Sequence, residues 1–353
     1  MKVAIVYDRV NKWGGAERVL LSLHKIFPSA PLYTSLYSTN AGWAKVFPEI
    51  RSSSLDKIKF LQNKHEYLPL FMPLIFESFD FSEFDLVISV TSEFAKGIIT
   101  GPKTKHICYC LTPTRYLWSG YEDYFKSSVI KFISGPVVWY LRYWDKIAAQ
   151  RPDKIIAIST EVKARVKKYY ELKSQILFPP VGIQALKNNK NREYYLIVSR
   201  LVPYKKVDLA VKVFNELGLP LIIVGDGSEK KYLQKIAKNN IKFVGFVPEV
   251  KLKNYYSKAV ALIMPQIEDF GLVAIEAMSF GVPVVAYKEG GILDIITKNT
   301  GILFNEQSVE SLMSAIKKFE FRKFKRNDLL KTASKFSFER FKKELLHLIS
   351  SLQ

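Results

Sequence analysis

Two glutamates stand eight positions apart in PQIEDFGLVAIEAMSFGVPVVA: Glu268 and Glu276, with Gly271 between them and apolar residues all around. Carboxylates accept hydrogen bonds from sugar hydroxyls, and acidic side chains beside a ribose commonly do so. Gly271 falls near the start of a helical pattern, whose first free NH groups and positive dipole end suit an anion such as phosphate. Glu268 then lies in the loop before that helix and Glu276 about a turn inside it, so that both can border one ligand from different sides. The alternatives are an exposed helix position for Glu276 and a dipole-favoured charge for Glu268. Against the first, Ala274, Ile275, Ala277 and Met278 leave little polar face, and a lone charge there is costly to bury without a partner.

A second constellation follows the apolar run YYLIVS. In SRLVPYKKVD, Arg200 and Lys205 are five positions apart, and both can hold a diphosphate, the arginine as a planar fork and the lysine as a point charge. A solvated basic loop is the competing reading. Gly14 and Gly15 allow backbone to approach a phosphate or sugar, although a glycine pair is more often a turn. The GDG of IIVGDGSEKKYL lacks the GxGxxG spacing and reads as a strand-to-helix turn. His24, His65, His106 and His347 are scattered without i, i+4 or CxxC context, so no metal site is expected. Cys108 and Cys110 alternate with Tyr109 and read as a buried, reduced pair on one strand face.

These residues need a scaffold that brings strand ends together. Short apolar runs (VAIVY, FDLVISV, KHICYCL, DKIIAIS) alternate with helical patterns such as AERVLLSLHKIF and TEVKARVKKYYEL, which predicts a parallel sheet covered by helices. The series restarts at YYLIVSR after LFPPVGIQALKNNKNREY, a stretch of prolines, a glycine and basic residues that reads as a domain boundary. At 353 residues the chain fits two α/β domains of about 150 to 200 residues each. We expect residues 1–185 and 186–335 as the two domains, with 336–353 as a final helix that closes the second or crosses back to the first. Open parallel sheets bind ligands beyond the carboxyl ends of their strands, which is where Arg200, Lys205 and Glu268 fall.

Composition adds further limits. Hydrophobic residues make up 48% and charged residues 24%, which is globular composition. The formal charge of +20 favours phosphate-bearing partners, whether nucleic acid, anionic membrane or nucleotide substrate. A nucleic-acid binder calls for clustered basic residues among stacking aromatics, yet here the bases are spread along the whole chain. MKVAIVYDRV reads as a strand rather than a signal peptide, and no run of about 18 uncharged apolar residues suggests a spanning helix. A cytoplasmic protein is expected. The basic, aromatic stretch from Lys126 to Gln150 reads either as a face for anionic lipid or as a core-facing helix pair.

Taken together, KWGGAERV, SRLVPYKKVD, VGDGSE, the EDFGLVAIEAM segment with its two glutamates, and GVPVVAYKEGGILDII resemble the retaining, nucleotide-sugar-dependent glycosyltransferases of family 4. The resemblance spans most of the chain and implies the GT-B fold: α/β, two Rossmann-like domains with parallel sheets facing across a cleft. It implies that Arg200 and Lys205 neutralise the donor diphosphate, supported by backbone NH groups of Phe270, Gly271 and Leu272. Glu276 would bind the nucleotide ribose and Glu268 the donor sugar, with Gly14 and Gly15 also on the donor. No cofactor or metal is implied beyond the nucleotide sugar. ICYCLTPTRYLW, with FAKG upstream, looks most like the branch that transfers mannose from GDP-mannose to surface polysaccharide, with a glycan or lipid-linked glycan as acceptor, peripheral contact with anionic membrane and no nucleic acid. One position departs from that branch: where relatives usually carry histidine, this chain has Leu111. A sugar-nucleotide epimerase of the same architecture, or a nucleotide-sugar binder impaired in catalysis by Leu111, are the competing readings.

Overall fold

The computed structural model describes residues 1–53, 69–125, 127–182 and 191–352. The expected boundary at 185/186 and the Lys126 that opens the basic, aromatic stretch lie outside the described residues. Contacts divide the chain into two units, Met1–Pro180 with Phe341–Gln353, and Val181–Arg340.

The first unit is built on a parallel sheet of seven strands: β1 (Val3–Tyr7), β2 (Leu32–Thr34), β3 (Ile50–Ser52), β4 (Leu86–Thr91), β5 (Lys105–Cys110), β6 (Lys154–Ala157) and β7 (Gln175–Ile176), in the order β3-β2-β1-β4-β5-β6-β7. VAIVY is buried at all five positions, as expected of a strand with both faces covered. It pairs with β4 from Val3↔Leu86 to Tyr7↔Val90. Cys108 and Cys110 are buried thiols in β5, not joined in a disulfide, and burial pushes the Cys108 thiol up to about 12. The final helix, Phe338–Ser350, sets Phe341 edge-on to Tyr109 at 6.0 Å. Just beyond it, Ser351 Oγ accepts from Lys154 Nζ at 2.7 Å.

The second unit holds six parallel strands: β8 (Tyr194–Val198), β9 (Leu221–Val224), β10 (Ile241–Gly245), β11 (Ala259–Met264), β12 (Val284–Tyr287) and β13 (Gly301–Phe304), in the order β10-β9-β8-β11-β12-β13. The helices Val207–Leu217 and Val309–Glu320 cover it, burying Phe214, Val211, Leu312 and Ile316 against Ile197 and Ile223. The strands of two or three residues, β2, β3 and β7, escape a periodicity reading because they are too short to carry one. In both sheets the strand order reverses once, between β1 and β4 and between β8 and β11. Such switch points open a crevice at the strand ends.

Candidate active site

The residues after β8 and β11 flank the second switch point. Lys205 ends a short 3-10 turn, Pro203–Lys205, and is buried. Its Nζ lies 2.6 Å from Glu268 Oε1, and Gln266 Nε2 donates to the same oxygen at 2.7 Å. Arg200 is exposed and donates to the Tyr204 hydroxyl. The Tyr204 ring sits 5.9 Å from the Arg200 Cζ and 5.4 Å from the Lys205 Nζ, so one aromatic face relates both cations. Two groups of opposite charge and one exposed guanidinium therefore meet where the chain leaves adjacent strands.

The loops that carry them are braced from behind. Leu201 N donates to Asp226 O at 2.9 Å and Glu229 N to Leu201 O at 2.9 Å, so the VGDGSE turn supports the Arg200 loop. Gly225 is required there, because its φ is +139° and a Cβ would overlap the Ser199 carbonyl. Gly291 N donates to Glu268 O at 2.7 Å, which ties the KEGG loop to the Glu268 backbone.

Gly271 caps the helix Leu272–Ser279 with φ +112°, and a Cβ there would press on Ile292 Cδ1 at 3.2 Å. Ala274 N donates to the Gly271 carbonyl at 3.0 Å, whereas the NH groups of Leu272 and Val273 have no carbonyl within the helix to bond and suit an incoming anion. Phe270 is buried against Phe336, with ring centroids 5.5 Å apart, and holds the entry to this helix. Glu276 is buried one turn in, and the Tyr256 hydroxyl donates to its Oε2 at 2.7 Å. Tyr256 in turn stacks on Phe280 at 5.4 Å. The carboxylate thus has a partner supplied by the helix Glu249–Lys258.

Arg200, Lys205, Glu268, Phe270, Gly271, Leu272 and Glu276 all fall within the second unit, and the structure joins Lys205 directly to Glu268. Gly14 and Gly15 belong to the first unit, where Gly14 precedes the helix Gly15–Ile26 in extended backbone. Beside them, Glu17 is buried and accepts from the Tyr7 hydroxyl at 2.7 Å, and burial pushes its carboxyl up. Among the described residues no group of three or more His, Cys, Asp and Glu could hold a metal ion. Gln266, Tyr204 and Tyr256 went unread in the sequence. Gln266 follows β11 after a single proline, so the strand-end rule that singled out Arg200 also reaches it; Tyr256 carries no comparable signal.

Gln266 adds a further detail: it is buried, and its Oε1 has no hydrogen-bond partner among the described residues. A buried carbonyl oxygen left unpaired beside Glu268 fits a ligand that brings a donor, such as a hydroxyl.

In the first unit, His106 sits at the start of β5, buried, with Nε2 2.8 Å from Ser89 Oγ. Burial pushes its imidazolium down to about 3, which makes it a neutral core residue. Leu111 follows the other end of that strand, its NH donating to Thr91 O at 2.8 Å.

Comparison with known proteins bears on the family and the fold. Residues 182–336 match the family described as glycosyl transferases group 1. An uncharacterized glycosyltransferase of Methanocaldococcus jannaschii is 27% identical over 192 residues, 52% of this chain and 55% of the relative. The O-antigen chain mannosyltransferase RfbU of Salmonella typhimurium is 28% identical over 194 residues, 51% of this chain and 55% of the relative. The chain thus spans about half the length of these curated relatives. Among solved structures, Anabaena HepE in complex with UDP and glucose superposes with a TM-score of 0.72 at 18% identity, covering 99% of this chain and 100% of HepE, a likeness of fold. Residues 182–336 thus match the glycosyl transferases group 1 family, and the chain's two Rossmann-like parallel sheets share the GT-B fold of the solved structures it resembles.

Proposed function

We propose that this protein is a retaining glycosyltransferase that moves mannose from GDP-mannose to a glycan or lipid-linked glycan, working at the cytoplasmic face of a membrane. The observation that carries the reading is the Lys205–Glu268 pair beside Arg200 at the head of the Gly271-capped helix. Lys205 and Arg200 neutralise the donor diphosphate, helped by backbone NH groups of Phe270, Gly271 and Leu272. Glu268 exchanges part of its contact with Lys205 for a donor-sugar hydroxyl, and Glu276 takes a ribose hydroxyl. The preference for mannose over other sugars rests on the resemblance to the mannose-transferring branch and on the RfbU match.

The chemistry asks little of a side-chain nucleophile. The acceptor hydroxyl attacks the anomeric carbon on the face from which the diphosphate departs. The bond to the diphosphate oxygen breaks with its electron pair, and the hydroxyl proton passes to that oxygen. Stabilising the departing charge then dominates, with each preorganised donor contributing on the order of 3 kcal/mol. Side chains and helix NH groups carry that charge in this scheme, so it invokes no metal. Leu111 favours a second reading, donor binding without turnover.

A donor screen by thermal shift across GDP-, UDP-, ADP- and dTDP-sugars tests the proposal, since a ligand that binds the folded state raises its melting temperature. Selective stabilisation by GDP-mannose supports it, and no response to any nucleotide sugar rejects it. Transfer of mannose to a glycan acceptor, measured with the same protein, separates turnover from binding alone.

A further inference from the structure

The helix Ser128–Ala148 is apolar on the wrong side for a globular protein. Val138, Leu141 and Ala148 face the core, as an amphipathic helix should. Its opposite side is apolar too, with Phe132, Trp139 and Tyr143 aligned at i, i+7 and i+11 and Val129 and Ile133 beside them. Phe132 is 86% exposed, Ile133 and Trp139 72% each, and Tyr143 60%. The Trp139 and Tyr143 rings stack on each other, 6.1 Å apart at 9°, without being covered. A contiguous apolar stripe of this kind on a surface marks a docking face.

Two observations decide what docks there. First, the formal charge of +20 opposes pairing with a second copy and attracts an anionic surface. Asp145, the single acid of the helix, is fully buried and paired to Lys96 at 2.5 Å, whereas Lys146 is exposed. Second, the helix runs into a basic cavity of about 580 Å³, which Ala149 and Gln150 line together with Lys154, Lys163, Lys167 and Lys173. Asp153 is the acid in that lining, and its Oδ2 is engaged by the NH of His106. Tryptophan and tyrosine with lysine at their flank is the composition of a helix lying in a bilayer interface. Among the described residues no helix is long and apolar enough to cross a membrane.

We infer that the outer stripe of the Ser128–Ala148 helix rests in the surface of a bilayer, and that the lysine-lined cavity at its end receives anionic phospholipid headgroups. The inference rests on the proposed function only for the reason to visit a membrane; the surface itself is read from this helix. Its position in the first unit leaves the donor residues of the second unit untouched.

Vesicle co-sedimentation of the full chain tests it, using phosphatidylcholine alone and phosphatidylcholine mixed with phosphatidylglycerol. The parent should sediment with the mixed vesicles and much less with phosphatidylcholine alone. Phe132→Ser with Trp139→Ser, both at exposed positions, should lower binding about tenfold or more, as should Lys163→Glu with Lys167→Glu. Far-ultraviolet dichroism checks that each variant is folded, and the GDP-mannose thermal shift, measured without vesicles, reports the donor site separately. Failure of the parent to bind mixed vesicles overturns the inference, as does unchanged binding of the Phe132/Trp139 variant. Unchanged binding after the lysine reversals overturns the headgroup cavity. A parent dimer in light scattering that the Phe132/Trp139 variant disperses would assign the stripe to a second copy instead.

Discussion

The two switch points use similar topology to opposite ends. In the first unit, Asp8 follows β1, and its carboxylate accepts from Thr91 Oγ1 and from the backbone NH groups of Ser92, Glu93, Phe94 and Ala95. Arg9 pairs with Glu93 beside it, and Lys96 with Asp145 below. Donors that could face a ligand are consumed by the protein's own acids. In the second unit, Lys205, Arg200 and the head of the helix Leu272–Ser279 stand where Asp8 and the Thr91–Ala95 loop stand in the first. There one cation, Lys205, meets one carboxylate, Glu268, through a single oxygen that the Gln266 amide shares. One sheet commits its crevice to stabilising a loop, and the other leaves the cations that the proposed function turns to a diphosphate.

Removing the plug should therefore harm folding, and removing the cation should harm function. Asp8→Ala leaves several buried NH donors unpaired at roughly 1 kcal/mol each, so stability should fall by about 3 to 5 kcal/mol, read from urea unfolding. Lys205→Ala should slow mannose transfer by about 10² to 10³ fold, read from kcat with GDP-mannose. If Lys205→Ala turns over like the parent, the second switch point is not the donor site.

A pH experiment separates the two units further. His106 titrates at about 3 in the folded chain and near 6.5 when unfolded, so the unfolded chain binds its proton more tightly. Its contribution is then fully present above about pH 6.5 and is lost as pH falls toward 3, at about 1.4 kcal/mol per pH unit. The physical cause is visible: Nδ1 is buried without a hydrogen-bond partner among the described residues, so the charged form has nowhere to donate. His106→Gln should flatten this part of the acid limb in urea titrations, and an unchanged slope would contradict the assignment. Smallest of the expected effects is Tyr256→Phe, which removes the donor to Glu276 and should weaken GDP-mannose binding by about 1 kcal/mol, or roughly fivefold in Kd.

The alternation of short apolar runs and amphipathic helices made both sheets legible, because buried parallel strands are nearly continuous apolar runs. Strand ends then pointed to Arg200, Lys205 and Glu268 without any structure. What spacing could not say is that Lys205 and Glu268 bond each other, since 63 residues separate them and only the β8–β11 pairing brings their loops together. The Tyr256 partner of Glu276 was illegible for the same reason. The Lys126–Gln150 stretch offered a lipid face or a core-facing helix pair. It forms a single helix over Ser128–Ala148, and exposure rather than periodicity distinguishes its two apolar sides.

Titration calorimetry of GDP-mannose into the parent, Lys205→Ala and Asp8→Asn, each below its melting temperature, tests the contrast between the two switch points most directly. The parent and Asp8→Asn should bind alike, while Lys205→Ala should bind at least about tenfold more weakly, the equivalent of about 1.4 kcal/mol. Equal binding by Lys205→Ala and the parent, or loss of binding in Asp8→Asn as deep as in Lys205→Ala, would contradict the assignment of the donor diphosphate to the second unit.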